Sequence, residues 1–171
     1  HFTEIHGKTW GIIGLGAIGR RVAEIARAFG AKVIYYSASG APAQEGYEQV
    51  DFETLLTQSD IISVHAPLNE HTEGLINSKA FEKMKSSCIF LNLGRGPIVD
   101  EQALYNALVR NQIAAAGLDV LCEEPMSADN PLLKIKDSKR LLITPHIAWA
   151  SVEARTHLME IIHGQVKDFF A

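Results

Sequence analysis

Three glycines near the start of the chain have a spacing that suits phosphate binding. Gly14, Gly16 and Gly19 follow an apolar run, Trp10 to Ile13, and a helical pattern begins directly after them. The first glycine of such a motif permits a tight turn, the second lets the backbone approach a pyrophosphate, and the third lets the helix pack closely on the strand. The helix N-terminus offers free N–H groups and partial positive charge to phosphates. With a second strand following, this arrangement predicts a dinucleotide site.

Other residues capable of chemistry also stand where strand-like segments end. Ligands of open α/β sheets bind at the carboxyl ends of the strands. The residues in these positions are Gly14, Ser37, His65, Arg95, Asp119 with Glu124, and His146. Because each follows a different strand, together they predict a single cleft along one edge of the sheet.

Strand-like and helix-like segments alternate along the whole chain. We expect strands at 10–13, 32–36, 60–64, 88–93, 113–120 and 141–144. Helices are expected from 18 to 29, 52 to 58, 78 to 84, 100 to 110 and 151 to 170, with Ser78 and Asp100 as N-caps. In the first helix, apolar residues fall on one face, namely Ile18, Val22, Ile25, Ala26 and Phe29. Strands separated by helices predict an α/β fold, a Rossmann-type doubly wound parallel sheet flanked by helices.

Composition limits the class of protein. The 171 residues are 47% hydrophobic and 21% charged, which is typical of a soluble globular domain. A net charge of −4 without basic clusters argues against nucleic acid as a partner, and no apolar run approaches the roughly 20 residues of a membrane span. Cys88 and Cys122 lack metal-ligand spacing, so we expect no metal site. We expect both cysteines to be free thiols of a protein in the reducing cytoplasm. The first residue is His1 rather than Met, which fits an excised domain.

Three further motifs carry a family resemblance. NLGRGPIVDEQAL, AGLDVLCEEP and ITPHIAWAS resemble, in order, the motifs of the D-isomer-specific 2-hydroxyacid dehydrogenases. Together with the glycine motif, they extend the resemblance over essentially the whole chain. The ending HIAWASVEAR, with DNPLL before it, is most similar to the glycerate dehydrogenase/hydroxypyruvate reductase branch. The resemblance implies a cofactor domain over residues 1–171, with the substrate domain absent from this chain.

The resemblance assigns catalytic roles to Arg95, Glu124 and His146. A planar guanidinium at Arg95 can grip a 2-oxo acid through its carboxylate and carbonyl oxygens. Ketone reduction needs a proton donor that titrates near neutrality, and the imidazole of His146 suits this role. Glu124 precedes Pro125 as the family's acid precedes proline, and a carboxylate beside the histidine favours the imidazolium form.

The resemblance also implies which residues bind the cofactor. They are Gly14, Gly16, Ala17, Ile18, Gly19, Ser37, Ala66, Pro67, Thr72, Leu93, Arg95, Asp119, His146 and Trp149. The backbone of Ala17 and Ile18 faces the phosphates. The loop containing Ala66, Pro67 and Thr72 runs along the adenosine side.

Some of these assignments leave alternatives open. Leu93 precedes the Gly-Arg turn. Asp119 matches a contact to the nicotinamide carboxamide, and a strand-end cap is the alternative. Trp149 either walls the nicotinamide or substrate side or packs in the core. We expect His65 to shape the cofactor loop rather than to transfer protons.

One departure from the dinucleotide pattern concerns the end of the second strand. An Asp or Glu there would hold the adenine ribose hydroxyls, and here the strand ends in Tyr36 and Ser37. Serine lacks the carboxylate that repels the additional phosphate of NADP. The segment that follows, Ser37 to Pro42, contains no Arg or Lys to neutralise that phosphate. The expectation is NAD(H), with NADP not excluded.

The leading interpretation is the cofactor domain of an oxidoreductase. It transfers a hydride between NAD(H) and a small D-2-hydroxy or 2-oxo acid, glycerate/hydroxypyruvate being the expected pair. The resemblance implies a homodimer for the full-length parent and an inactive isolated fragment. The alternative is a nicotinamide-nucleotide-sensing binding protein without turnover, since corepressors also resemble this family.

Overall fold

Seven parallel strands form one sheet in the computed structural model, which describes residues 3–170. The strands are β1 (Thr9–Ile13), β2 (Lys32–Tyr36), β3 (Glu48–Gln49), β4 (Ile61–Val64), β5 (Ile89–Asn92), β6 (Ala115–Leu118) and β7 (Leu141–Ile143). Their order is β3-β2-β1-β4-β5-β6-β7, and every pair is parallel. The order reverses between β1 and β4, the position at which such sheets bind ligands. The predicted Rossmann-type doubly wound fold is confirmed.

Five α-helices connect or follow these strands. They are α1 (Ala17–Ala28), α2 (Phe52–Gln58), α3 (Ser78–Lys83), α4 (Glu101–Val109) and α5 (Val152–Phe169). The caps of α2 to α5 each accept a hydrogen bond from the N–H three residues on; they are Asp51, Asn77, Asp100 and Ser151. The expectation that Ser78 caps α3 is wrong, because Asn77 keeps the extended backbone of a cap and its amide oxygen reaches the N–H of Ala80. Within residues 3–170, no helix is long and apolar enough to cross a membrane.

The strand β3 was not predicted from the sequence. It has only two residues, Glu48 and Gln49, which pair with Ile34 and Tyr35 of β2. A strand this short shows no alternation of apolar and polar residues, so periodicity cannot detect it. Its pairing brings the end of the preceding loop back to the edge of the sheet.

Two hydrophobic clusters pack on the two faces of the sheet. Ile12 belongs to the cluster under α1, and Ile13 belongs to the larger cluster formed with α2, α3 and α4. This alternation follows from the two-residue period of a strand. Gly11 lies where α2 crosses β1, and a Cβ there would be 2.2 Å from the Ser59 Oγ. The close packing fixes β1 and therefore the glycine turn at its end.

The first helix packs through its smallest residues. Gly19, Ala23 and Ala26 are the buried positions of α1. Ile18 and Phe29, part of the apolar pattern that indicated the helix, are 68% and 62% exposed. A helix reaches close packing on a strand when its contact residues are small, so the larger side chains point away from the sheet.

An exposed apolar surface lies on β5 to β7. Leu93, directly after β5, and Leu142 of β7 are 42% and 61% exposed, and Leu91 and Gly117 border the same shallow groove. The helix α5 has no buried residue among the described positions. One face of this half of the sheet is therefore open.

Candidate functional site

The glycine turn between β1 and α1 has the geometry of a phosphate-binding loop. Gly14 has φ of +92°, and a Cβ there would come within 2.8 Å of the Ala66 backbone. A Cβ on Gly19 would lie 2.1 Å from the Gly14 carbonyl oxygen. At Gly16 an added Cβ meets nothing within 4 Å, so the space over this residue is open to a ligand. The first and third glycines serve packing, and the second leaves room for binding.

The glycine turn forms one wall of a cavity of about 280 Å³, here called the glycine-turn cavity. Its lining comprises Gly14, Leu15, Gly16, Tyr35, Ser37, Ala38, Ser39, Ala41, Pro42, Gln44, His65, Ala66, Pro67, Asn69 and Thr72. No Asp, Glu, Lys or Arg is among these residues. The Oγ atoms of Ser37 and Ser39 lie 3.2 Å apart at the end of β2. The cavity thus offers hydroxyls and backbone rather than charge where the ribose is expected.

The loop after β4 forms the opposite wall. The Thr72 hydroxyl is buried, donates to the Pro67 carbonyl at 2.6 Å and accepts from the Asn69 N–H at 2.9 Å. These bonds hold the turn that presents Ala66 and Pro67 to the cavity. Thr72 therefore shapes the loop, with its hydroxyl engaged inside it.

His65 begins this loop and lies between the cavity and the sheet. Its Nε2 is 3.0 Å from the Ser63 Oγ, which also accepts from the Trp10 indole N–H at 2.9 Å. Burial lowers the pKa of His65 to about 4, so the ring is neutral near pH 7. Its Nδ1 is buried without a partner among the described residues. A neutral ring suits the expected role of shaping the loop.

His146 follows β7 on the wall of a second cavity, of about 510 Å³, here called the histidine cavity. Its lining comprises Asp119, Leu121, Glu124, Pro125, Met126, Ile143, Thr144, Pro145 and His146. The backbone of His146 has φ of +54°, a left-handed conformation that is uncommon outside glycine. Such conformations cluster at functional sites, where the surrounding contacts hold them.

Glu124 and His146 are hydrogen-bonded to each other in this cavity. The Nδ1 of His146 lies 2.8 Å from the Glu124 Oε2, and both side chains are 38% exposed. The other carboxylate oxygen accepts from the Leu121 N–H at 2.9 Å. The hydrogen bonds from Leu121 and from His146 hold the pKa of Glu124 below its usual value, so its carboxylate stays ionised beside the imidazole. The arrangement orients the ring, and Nε2 has no hydrogen-bond partner among residues 3–170.

Asp119 holds the chain that follows His146. Its Oδ1 accepts from the Thr144 hydroxyl at 2.5 Å and from the Ile147 N–H at 2.9 Å, and its Oδ2 accepts from the Ala148 N–H at 2.8 Å. Burial acts to raise the pKa of Asp119, but these hydrogen bonds outweigh burial and keep the pKa low. The carboxylate is thus an anchor for the histidine loop as well as a group at the cavity wall.

Arg95 lies in the turn after β5. This turn packs against the loop after β6, which carries Glu124 and lines the histidine cavity. A Cβ on Gly96 would lie 2.0 Å from the Leu121 carbonyl group, so the two backbones are in direct contact. The buried Asn92 accepts from the Gly94 N–H at 3.1 Å and donates to the Arg95 carbonyl at 3.0 Å. The exposed guanidinium donates to the Gly94 carbonyl at 2.8 Å and lines neither cavity.

The remaining predicted site residues line neither of the two cavities; they are Ala17, Ile18, Gly19, Leu93 and Trp149. Trp149 is 53% exposed, so the alternative that it packs in the core is wrong. Leu93 borders the groove on β5 to β7. His146, Glu124 and Asp119 share the histidine cavity, whereas Gly14, Gly16, Ser37, Ala66, Pro67 and Thr72 share the glycine-turn cavity.

Several polar residues that support the site were not predicted. Besides Asn92 and Thr144, Glu101 accepts from the Cys122 N–H at 2.8 Å and from the Asn130 side chain at 2.7 Å, which braces the loop carrying Glu124. Gln44 donates to the Leu15 carbonyl at 2.9 Å inside the glycine turn. Apart from Asn92, which bonds to the turn directly after it, these residues have partners that are distant in sequence, so no local pattern identifies them.

The residues present fit a dinucleotide. Gly16 leaves open space above backbone N–H groups at the N-terminus of α1, where a pyrophosphate is stabilised. The buried Nδ1 of His65 adds a polar atom without a protein partner beside the same cavity. Within residues 3–170, no group of three or more His, Cys, Asp or Glu is placed to hold a metal ion.

Comparison with known proteins gives the family. Residues 1–148 match the family model of the D-isomer specific 2-hydroxyacid dehydrogenase NAD-binding domain. The chain is 46% identical over 168 residues to a hydroxypyruvate reductase of Blautia hydrogenotrophica, and the match covers 97% of this chain and 51% of the relative. The chain therefore spans about half the length of the curated relatives that it matches.

Solved structures agree with the sequence comparison. A D-lactate dehydrogenase from Aquifex aeolicus, complexed with NAD and lactic acid, superposes with a TM-score of 0.89 at 32% identity and covers 98% of this chain and 55% of that one. An acyclic imino acid reductase in complex with NADPH and D-Arg gives a TM-score of 0.89 at 40% identity, with coverage of 98% and 52%. The chain belongs to the D-isomer specific 2-hydroxyacid dehydrogenase family, of which it is an NAD-binding domain.

Proposed function

We propose that the whole protein containing this chain reduces small 2-oxo acids to D-2-hydroxy acids, and catalyses the reverse reaction. The observation that carries the proposal is the pair formed by His146 Nδ1 and Glu124 Oε2, 2.8 Å apart on the wall of the histidine cavity. The pair stands at the carboxyl edge of the sheet, where ligands of this fold bind. A proton donor at that edge serves carbonyl reduction directly.

His146 is the proposed acid and base. Glu124 takes up Nδ1, so Nε2 is the ring nitrogen that can reach a substrate oxygen. In reduction, Nε2 releases its proton to the carbonyl oxygen as carbon gains a hydride, and in oxidation it takes the proton back. The negative charge of Glu124 stabilises the imidazolium form, which is the form needed to begin reduction.

Arg95 is the proposed substrate anchor. Its guanidinium is exposed, and its turn contacts the backbone of Leu121, three residues before Glu124. The single hydrogen bond to the Gly94 carbonyl leaves other donors of the guanidinium free for a carboxylate. A bidentate contact of this kind would orient the 2-oxo acid relative to His146.

NAD(H), when bound, supplies or accepts the hydride. The glycine turn would hold its pyrophosphate, and Ser37 with the Ala66–Pro67 loop would line its adenosine half. Asp119 Oδ2 accepts one hydrogen bond from the chain, from Ala148, and retains capacity to accept another from the carboxamide. Ala17, Ile18, Leu93 and Trp149 are proposed to border the cofactor.

Hydroxypyruvate is the proposed 2-oxo acid, and glycerate its product. The support is the 46% identity to the Blautia hydrogenotrophica hydroxypyruvate reductase and the motif HIAWAS. Relatives and neighbours act on different acids, so identity alone supports the class more strongly than the individual substrate. We further propose that the protein works in the cytoplasm.

The substrate domain is proposed to come from the rest of the whole protein. The open apolar face of β5 to β7 and the unburied helix α5 offer surface for it. We propose that residues 1–171 alone bind cofactor with negligible turnover, because closure of the second domain completes such sites and excludes water. The exposed Ile25 of α1 and Phe29, directly after this helix, support a homodimer of the full-length protein.

The decisive experiment measures turnover by the full-length protein. A panel containing hydroxypyruvate, glyoxylate, pyruvate and 3-phosphohydroxypyruvate is assayed with NADH and with NADPH, and we expect the highest kcat/KM with hydroxypyruvate. Turnover that favours another 2-oxo acid would contradict the substrate and keep the reaction class. Cofactor binding without turnover of any acid in the panel would favour the nucleotide-sensing protein instead.

A further inference from the structure

We propose that Gln44 is a positioning residue that determines how tightly the chain binds the adenosine half of its dinucleotide. The residue ties two segments that lie far apart in sequence, the loop after β2 (residues 37–47, here the ribose loop) and the glycine turn (residues 14–19). This inference rests on the NAD-binding fold and is independent of the proposed 2-oxo acid reaction.

The tie consists of two hydrogen bonds from one residue. The Gln44 side-chain amide donates to the Leu15 carbonyl at 2.9 Å, and the Gln44 backbone N–H donates to the Tyr35 hydroxyl at 2.9 Å. Leu15 stands between the first two glycines of the motif and is buried. Gln44 therefore joins the ribose loop to the phosphate-binding backbone through its side chain, and to β2 through its main chain.

The Tyr35 hydroxyl extends this tie across the sheet edge. Tyr35 is 1% exposed, and its hydroxyl donates to the Gln49 side chain at 2.9 Å while accepting from Gln44. Gln49 in turn donates to the Ala41 carbonyl at 3.3 Å. A buried tyrosine hydroxyl with both of its hydrogen-bonding roles filled fixes its partners in one arrangement. The ribose loop is thus held at Ala41 by Gln49, and at Gln44 by Tyr35 and Leu15.

The position of the Gln44 hydrogen bonds determines which half of a dinucleotide should bind more weakly when they are lost. Gln44, Tyr35 and Leu15 all line the glycine-turn cavity together with Ser37, where the adenine ribose of a dinucleotide lies in this fold. The histidine cavity has none of these residues in its lining. Releasing Gln44 would free the ribose loop and leave the nicotinamide side as it is. An ordered loop binds more tightly because less conformational entropy is lost on binding.

The test compares binding of two half-cofactors to the 171-residue chain. Gln44→Met keeps the length of the side chain and removes its donor. We expect the Kd for NADH and for ADP-ribose to rise by about five- to tenfold, because one hydrogen bond is lost and the ribose loop is freed. The Kd for reduced nicotinamide mononucleotide should change by less than about twofold. Gln102→Met is the matched control, since the exposed Gln102 side chain of α4 hydrogen-bonds to Asn106 and neither residue lines the glycine-turn cavity, and it should change none of these values.

A pair of adjacent tyrosines gives a second and independent test. Tyr35→Phe removes the hydroxyl that holds Gln44 and Gln49, whereas Tyr36→Phe alters a ring that packs on Phe52 outside the cavity lining. We expect only Tyr35→Phe to weaken ADP-ribose binding, and this test remains valid if Gln44→Met fails to fold. Unchanged ADP-ribose binding in Gln44→Met or Tyr35→Phe would overturn the proposal. Equal weakening of both half-cofactors would also overturn it, because it would show a general loss of structure.

Discussion

His146 Nδ1 and Glu124 Oε2 lie 2.8 Å apart although 22 residues separate them in the chain. Two other contacts make this meeting possible. Glu124 is held by the Leu121 N–H, and the chain on the far side of His146 is held by Asp119. The pair is therefore fixed from both sides, as the proposed roles of an acid and its orienting carboxylate require.

Removing the carboxylate charge should change the pH profile of reduction. In the full-length protein, Glu124→Gln leaves an amide beside His146 and removes the charge that favours the imidazolium. The pKa of Glu124 is held low by its hydrogen bonds with Leu121 and with His146, so Glu124 and His146 are coupled, and loss of the carboxylate should move the pH at which reduction falls to half its maximum downward. Initial rates with hydroxypyruvate across pH 5 to 9 measure it. Glu123→Gln, the neighbouring exposed acid, is the control, and a profile unmoved by Glu124→Gln would argue against the pairing.

Removing the histidine should cost more than removing its partner. His146→Gln deletes the proton donor itself, and general acid–base groups contribute on the order of a hundredfold or greater to the rate. We expect kcat to fall by at least that factor with little change in the Kd for NADH. A His146→Gln enzyme that retains a tenth of the activity would show that another group donates the proton.

Asp119→Asn should loosen the histidine loop. The carboxylate accepts three hydrogen bonds, and an asparagine turns one acceptor into a donor that faces an N–H or a hydroxyl. An unsatisfied group of this kind costs about 1 to 3 kcal/mol, which should appear in the free energy of unfolding in urea. Amide exchange at residues 147 and 148 should accelerate as well. Asp137→Asn, in an exposed turn where the Asp137 side chain accepts from the Lys139 N–H, should leave that exchange unchanged.

The buried His65 should make stability depend on pH. Its pKa is about 4 in the folded chain, against the ordinary histidine value of 6.5 in an unfolded one, so the unfolded state binds more protons between these pH values. Stability contributed by the neutral ring is complete above pH 6.5 and is lost as the pH falls toward 4. From pH 7 to pH 5 the loss should be about 2 kcal/mol, measured by urea unfolding. His65→Asn should flatten this dependence, whereas the exposed His71→Asn should retain it.

The choice of cofactor should depend on Ser37. Its hydroxyl lies 3.2 Å from the Ser39 hydroxyl, and the lining of the cavity contains no Asp, Glu, Lys or Arg. The lining therefore has no carboxylate to hold the ribose hydroxyls and no cation to neutralise a 2′-phosphate. We expect a modest preference for NADH over NADPH in the wild-type protein. Ser37→Asp should widen it by on the order of a hundredfold, because the carboxylate repels the phosphate. The ratio of kcat/KM values for the two cofactors measures it, and a strong wild-type preference for NADPH would contradict the expectation.

Local signals in the sequence were enough to predict the frame of the site. The glycine turn, the parallel sheet and the position of His146 after a strand follow from short motifs and periodicity. The hydrogen bonds of Asp119 to Ile147 and Ala148 span 28 and 29 residues, and no local pattern encodes them. The same holds for Gln44, whose partner Leu15 is 29 residues away.

Two features of the fold were hidden for different physical reasons. The strand β3 is too short for periodicity, and only its pairing with Tyr35 reveals it. In the first helix the periodicity is clear but does not identify the buried face. Ile18 and Phe29 fit the helical pattern and lie exposed. Gly19 and Ala23 are buried against the sheet instead. Helical spacing predicts the presence of a helix, and the size of the residues decides which face packs.

The central claim is that this chain binds a dinucleotide through the glycine turn, and Gly16→Ala tests it most directly. A Cβ at Gly16 meets no protein atom within 4 Å, and its φ of −76° suits alanine, so the variant should unfold at the same urea concentration as the wild type. The methyl group would occupy the space in which the pyrophosphate approaches the backbone. By calorimetry, the wild-type chain should bind NADH, and the folded Gly16→Ala chain should bind it roughly tenfold more weakly or worse. Equal affinity in both folded proteins would contradict the account.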